Sequence, residues 1–152
     1  MNTSPFFIQV TPEASQNAFA KMVAALIRQN LESNPSKASD FNALFGVVSL
    51  VAEDAEIAIT LLFNRGELWV TDGITGIPDI TIRGSSNHIL ALSAIPVDRL
   101  WTLLLFKSAD RAGLEAIKNL LKAVRQAELR LYGVWARPIF ALRLTRIMSV
   151  SS

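Results

Sequence analysis

The chain has 152 residues, 51% hydrophobic and 18% charged, against about 25% charged in an average domain. It has no cysteine and a single histidine, which excludes disulfides, thiolate nucleophiles and cysteine metal sites. The net charge of +2 hides an asymmetry: residues 1–96 carry 5 Lys/Arg against 9 Asp/Glu, and residues 97–152 carry 10 against 4.

The longest charge-free run, Gly84 to Val97, spans 14 residues and includes Ser85, Ser86, Asn87, His88 and Pro96. That is short of the roughly 20 apolar residues that a spanning helix needs. Met1 to Val10 has no basic start, and Pro12 and Glu13 follow, so no secretory signal is expected. The expectation is one soluble, cytoplasmic domain over residues 1–152.

Thr11-Pro12-Glu13 reads as a helix start, with a capping hydroxyl, proline in the first turn and an acid beside the positive helix end. Phe19, Met22, Val23, Leu26 and Ile27 follow at helical spacing, and Ser33-Asn34-Pro35 stops the helix, giving an N-terminal helix over 11–34. Asp40 to Phe45 adds a short helical turn closed by Gly46. A strand region comes next. Val47 to Ala52 is β-branched and apolar; Ala55 to Phe63 alternates; Asn64-Arg65-Gly66 turns the chain; Glu67 to Thr71 returns. Asp72-Gly73 turns it again, and Ile77 to Arg83 makes a fourth strand in what reads as an antiparallel meander.

Ser85 or Ser86 caps a short helix running to about Ala94. Leu100 to Phe106 is almost wholly apolar and fits strand or helix equally. Ser108 to Gln126 is a helix with Leu114, Ile117, Leu121 and Val124 in line. Glu128 to Tyr132 alternates as a fifth strand, and Pro138 opens a last helix with the stripe Phe140, Leu144, Ile147 and Met148.

No catalytic constellation emerges, so the chain is not expected to be an enzyme. His88 has no partner at catalytic spacing, and Glu53, Asp54 and Glu56 read as a solvated turn. Gly73, Gly76 and Gly84 open no helix at phosphate-loop spacing, and no Gly-x-Ser-x-Gly elbow exists. No cofactor and no metal are expected. The basic half lacks aromatics interleaved with its arginines, so nucleic acid is not an expected partner. What the chain has in excess is apolar side chains. Trp101, Leu103, Leu104, Leu105 and Phe106 form one run, and Trp135, Ile139, Phe140, Leu142, Leu144, Ile147 and Met148 crowd the tail. An excess of that kind suits an apolar ligand, where burying about ten methylenes contributes on the order of 8 kcal/mol before ordering costs.

The segment Leu61 to Val70, then Asp72-Gly73, then Pro78-Asp79-Ile80-Thr81-Ile82-Arg83-Gly84, resembles the sterol carrier protein-2 lipid-binding family. Ser85 to Leu92 is similar to that family's small capped helix, Ala127 to Gly133 to its late strand, and the helix from Pro138 to its C-terminal lid, so the resemblance covers roughly 46–148. It implies an α+β fold: a five-stranded, mostly antiparallel sheet with helices on one face enclosing an apolar tunnel. On that resemblance the tunnel would be lined by Leu104, Ile117, Leu121, Phe140, Leu144 and Ile147, with Trp101 and Phe106 added from the apolar run. The helices at 108–126 and 138–148 would form a movable wall. The charged stretch Trp101 to Gln126 and the arginine-rich tail are similar to bacterial relatives that act as accessory lipid-binding factors in ubiquinone synthesis. The implied function is a non-enzymatic carrier of a fatty acyl, sterol-like or isoprenoid ligand. Arg137, Arg143 and Arg146 would dock it peripherally on anionic membrane. The alternative is a scaffold or accessory module whose apolar C-terminal helices bind a partner protein or a second copy.

Overall fold

The computed structural model describes residues 6–91, 125 and 129–150. A mixed sheet of six strands runs β1 (Phe7–Val10), β4 (Glu67–Asp72), β3 (Ile57–Asn64), β2 (Phe45–Ala52), β5 (Ile80–Gly84) and β6 (Arg130–Tyr132) in spatial order. Four helices accompany it among the described residues: α1 (Ala18–Ser33), α2 (Ala38–Ala43), α3 (Ser86–Ala91) and α4 (Pro138–Met148).

The expected five strands are therefore six. The additional one, β1, is only four residues long and joins β4 in parallel, Ile8 opposite Leu68. Phe7, Ile8 and Val10 are strand formers, but four residues are too few to mark a strand without the partner some 60 residues away that takes its hydrogen bonds. The meander also needs correcting. β2, β3 and β4 are antiparallel neighbours, but β5 lies beside β2 and parallel to it, Leu50 opposite Ile82. The seven residues between β4 and β5 must therefore run back along the sheet. Thr60 anchors this crossover: its hydroxyl donates to Gly73 O at 2.7 Å and accepts from Thr75 N at 3.0 Å. Thr60 points away from Ile59 and Leu61, so the crossover straps the face opposite the helices.

The N-terminal helix begins later than Thr11-Pro12-Glu13 suggests. Those residues lead into a 3-10 turn at Ala14–Gln16, and Asn17 is the true cap, its side chain accepting from Phe19 N and Ala20 N. The competition is between two capping residues, and the one whose side chain takes two amide donors wins. The expected strand pair around Asn64-Arg65-Gly66 is present, with Arg65 and Gly66 both at positive φ, as a tight two-residue hairpin requires.

The helices cover the sheet face formed by Ile8, Leu68, Leu61, Val48, Leu50 and Ile80, and all four contribute to the same core. From α1 come Phe19, Val23, Ile27 and Leu31, from α2 Phe41, from α3 Ile89, and from α4 Phe140, Leu144, Ile147 and Met148. Phe6, Phe41, Phe63 and Phe140 form an edge-to-face chain through this core, with ring centroids 5.9 to 6.3 Å apart. α3 is pinned by the acidic turn of the sequence. Asp54 accepts from Ser86 N and Ser86 Oγ, both at 2.7 Å, and Glu53 pairs with Arg83 at 3.2 Å. The two serine donors hold the Asp54 carboxyl below its ordinary pKa.

Candidate functional site

Pro138 starts α4 directly after Arg137, the last residue of the turn that follows Gly133. The sequence spacing places Phe140, Leu144 and Ile147 on one face of α4, and that face is buried against α1 and α2. Burying these three side chains with Met148 is worth roughly 6–12 kcal/mol of transfer free energy, so α4 is an integral wall of the core.

Polar ties reinforce it. At the C-terminal end Asn30 Nδ2 donates to Ile147 O at 3.0 Å and the buried Lys37 Nζ donates to Ser149 O at 2.5 Å. Lys37 also places a cation at the negative end of the helix. Buried Asp40 on α2 receives Arg146 Nη1 at 2.6 Å and lies 3.8 Å from Arg143 Nε. At the N-terminal end Arg137 is the hub. Its guanidinium pairs with Asp79 Oδ1 at 3.1 Å, donates to Phe45 O at 3.0 Å and covers the Phe140 ring at 4.7 Å. Asp79 uses its other oxygen to accept from Val47 N at 2.8 Å. Asp79, Arg137 and Phe140 converge over Gly46. A Cβ there would stand 2.7 Å from Asp79 Oδ2, 2.8 Å from Arg137 Nη1 and 3.1 Å from Phe140 Cε2.

Beside this hub an open cleft of about 310 Å³ separates the end of α2 from the start of α4. It is lined by Ala43, Leu44, Ala136, Arg137, Pro138, Ile139, Phe140 and Arg143. Its volume sits at the lower end of the range for small-molecule sites. Apolar side chains and two arginines together make the lining, an arrangement suited to a molecule with an apolar body and an acidic or hydrogen-bonding head. Among the described residues no cluster of three or more His, Cys, Asp or Glu could hold a metal, and no helix is long and apolar enough to cross a membrane. His88 sits on α3, far in sequence from the cleft lining.

Of the residues expected to line a ligand space, Phe140 lines the cleft, while Leu144 and Ile147 lie deeper in the core on the same helix face. Trp101, Leu104, Phe106, Ile117 and Leu121 lie outside the described residues, as do the expected helix at 108–126 and the ambiguous run 100–106. Arg137 and Arg143 line the cleft; Arg146 faces Asp40 instead, with its side chain only 18% exposed. Sequence reasoning missed Leu44, Asp40, Asp79 and Lys37 as parts of this arrangement. Asp79 had a signal, since it lies inside the Pro-Asp-Ile-Thr-Ile stretch, where its task is to join the start of two strands to Arg137.

No protein-family model and no curated protein sequence matches the chain. Among solved structures, a UbiJ-SCP2 ubiquinone synthesis protein superposes with TM-score 0.53 and 18% identity, covering 87% of this chain and 97% of its own. A sterol carrier protein 2 crystal structure superposes with TM-score 0.46 and 14% identity, covering 86% of this chain and 91% of its own. The sterol carrier protein domain 2 of Helicoverpa armigera gives TM-score 0.46 and 13% identity, over all of this chain and 97% of its own. The first of these likenesses, extending over nearly the whole of both chains, identifies the fold: this chain has the α+β fold of the sterol carrier protein 2 domain.

Proposed function

We propose that the protein is a lipid-binding or lipid-carrier domain, and that the cleft between α2 and α4 is where its ligand enters. The observation that carries this reading is the cleft itself: an apolar lining that includes Leu44, Ile139 and Phe140, joined by Arg137 and Arg143, on a sterol-carrier-type fold. The apolar lining would take an acyl or isoprenoid chain, and the guanidinium groups would hold a carboxylate, phosphate or phenol head by charge-assisted hydrogen bonds. α4 acts as a fixed wall in this reading, because its burial and its ties oppose outward swinging. The finer reading is a quinone-type lipid presented to an enzyme, supported by the likeness to a ubiquinone synthesis protein. No step of the proposal requires bond-making by the protein.

The test is native mass spectrometry of the purified protein, followed by organic extraction and lipid identification. A stoichiometric mass excess that extracts as one lipid class is the expected result. Ile139→Glu, which puts a carboxylate into the cleft from an exposed position, should remove that excess while leaving the protein folded. A bare polypeptide mass that stays unchanged after incubation with fatty acids, sterols and quinones would refute the carrier reading.

A further inference from the structure

An open sheet ends in two strands whose outward N–H and C=O groups lack a ladder partner, and each is a template for a further strand. The edges here are β1 and β6. β6 is blunted, because it is three residues long, opens on the exposed Arg130 and is followed at once by Gly133. The sequence of β1 has no such protection. Phe6-Phe7-Ile8-Gln9-Val10-Thr11 contains no charge, no proline and no glycine, and every residue but Gln9 is aromatic or β-branched. That is the composition of segments that pair edge to edge with their own kind.

One bond fixes which backbone groups of β1 face outward. Thr11 N donates to Val70 O at 2.9 Å, so the odd-numbered residues turn their N–H and C=O toward β4, and Ile8 and Val10 turn theirs away from the sheet. One of these outward groups is already taken. α1 packs beside β1, and from it Arg28 Nη2 donates to Ile8 O at 3.0 Å. This is the one hydrogen bond of the Arg28 side chain among the described residues. Gln9 lies between the two outward residues, in register with Trp69, with its exposed side chain on the sheet face opposite the helices.

We infer that Arg28 keeps the β1 edge from pairing with the β1 edge of a second copy of this chain. Two such edges match in antiparallel register with Gln9 opposite Gln9. In that register Ile8 of each copy exchanges both backbone bonds with Val10 of the other, and the apolar faces of the two sheets stay on one side. The guanidinium on Ile8 O occupies the acceptor in half of those bonds. It also sets a cation from each copy at the same seam, where pairing would strip both of water without supplying an acid. The strand thus keeps its bonds to β4 while its outer side is closed. This role does not depend on what the cleft binds.

The experiment is sedimentation velocity of the full chain at rising concentration. The wild type is expected to sediment as a monomer throughout. Arg28→Met keeps the apolar stem and loses the donors, and Arg28→Gln stays polar but is too short to reach Ile8 O. Both should self-associate at least about tenfold more tightly than the wild type. Arg28→Lys, which retains a donor on a long stem, should remain monomeric. Adding Gln9→Lys to Arg28→Met sets like charges directly opposite each other at an exposed position, and should restore the monomer. The inference is overturned if either Arg28→Met or Arg28→Gln keeps the wild-type circular dichroism and still sediments as the wild type does. It is also overturned by association that Gln9→Lys leaves intact, since the contact would then lie elsewhere. A wild type that already pairs, and that Gln9→Lys returns to monomer, overturns it as well, because the edge would be open with Arg28 in place.

Discussion

At its C-terminal end α4 is held by groups taken out of water, whereas at its N-terminal end the ties lie half in solvent. Asn30, Lys37 and Asp40 are all buried where they meet Ile147, Ser149 and Arg146. Arg137 and Asp79 pair at the edge of an open cleft, each still reached by water. The same kind of interaction has different worth in the two places. A desolvated donor or charge that loses its partner bears its full desolvation cost, while a half-exposed pair is exchanged for water at little loss. One end of the helix therefore seals the core, and the other is held by a pair that exchanges readily with water.

The largest expected effect comes from breaking the sealed end. Asp40→Ala removes the carboxylate that serves Arg146 and Arg143, and should lower stability by about 3 kcal/mol, read as a lower urea midpoint at unchanged slope. A loss below about 1 kcal/mol would mean that Arg146 finds water as readily as Arg137 does, and the contrast between the ends would vanish. The open end is probed by Gly46→Ala. Its Cβ would press on Asp79, Arg137 and Phe140, two of them flexible side chains that can give way, so a cost of about 1–2 kcal/mol is expected. Any lipid occupancy should fall more than stability does, because the displaced Arg137 lines the cleft.

The smallest effect concerns a wholly exposed tie, Asp54 to Ser86, which sharpens the scale from the solvent side. The donors of Ser86 depress the folded-state pKa of Asp54 below 3.8. Its contribution is therefore complete above the unfolded value and lost as pH falls through the lower folded one. Carboxyl chemical shifts followed during acid titration should show that depression, and Asp54→Ala should slightly flatten the acid limb of stability. An unshifted titration would remove Asp54 as an anchor of α3.

How far the sequence could be read depends on the range of the interaction involved. The alternation of Ile57, Ile59, Leu61 and Phe63 marks β3 because a strand's two faces follow from period two alone. Pro138 and the stripe Phe140, Leu144, Ile147 and Met148 mark α4 to the residue, since proline is tolerated only at a helix start. The N-terminal cap was harder: Thr11 and Asn17 both qualify locally, and Thr11 caps only a single turn, accepting from Ala14 N at 3.4 Å. The charge of the C-terminal arginines is legible in the sequence, but their partners are not. Arg146 belongs to Asp40 and Arg137 to Asp79, and neither acid is near them in the sequence.

The sequence by itself determined where most helices and strands lie, which faces are apolar, and that the C-terminal half is basic. These are consequences of periodicity, turn residues and composition, each contained in a dozen neighbouring residues. The tertiary structure alone decided that β1 joins β4 and β5 joins β2, each in parallel, that Thr60 straps the crossover, and that Lys37 reaches a carbonyl 112 residues away. It also decided that Leu44 and Phe140 line one cleft and that Gly133 packs against Asp79 and Ile80. A hydrogen bond or a cavity wall needs two groups in one place, and nothing in either group's own neighbourhood names the other.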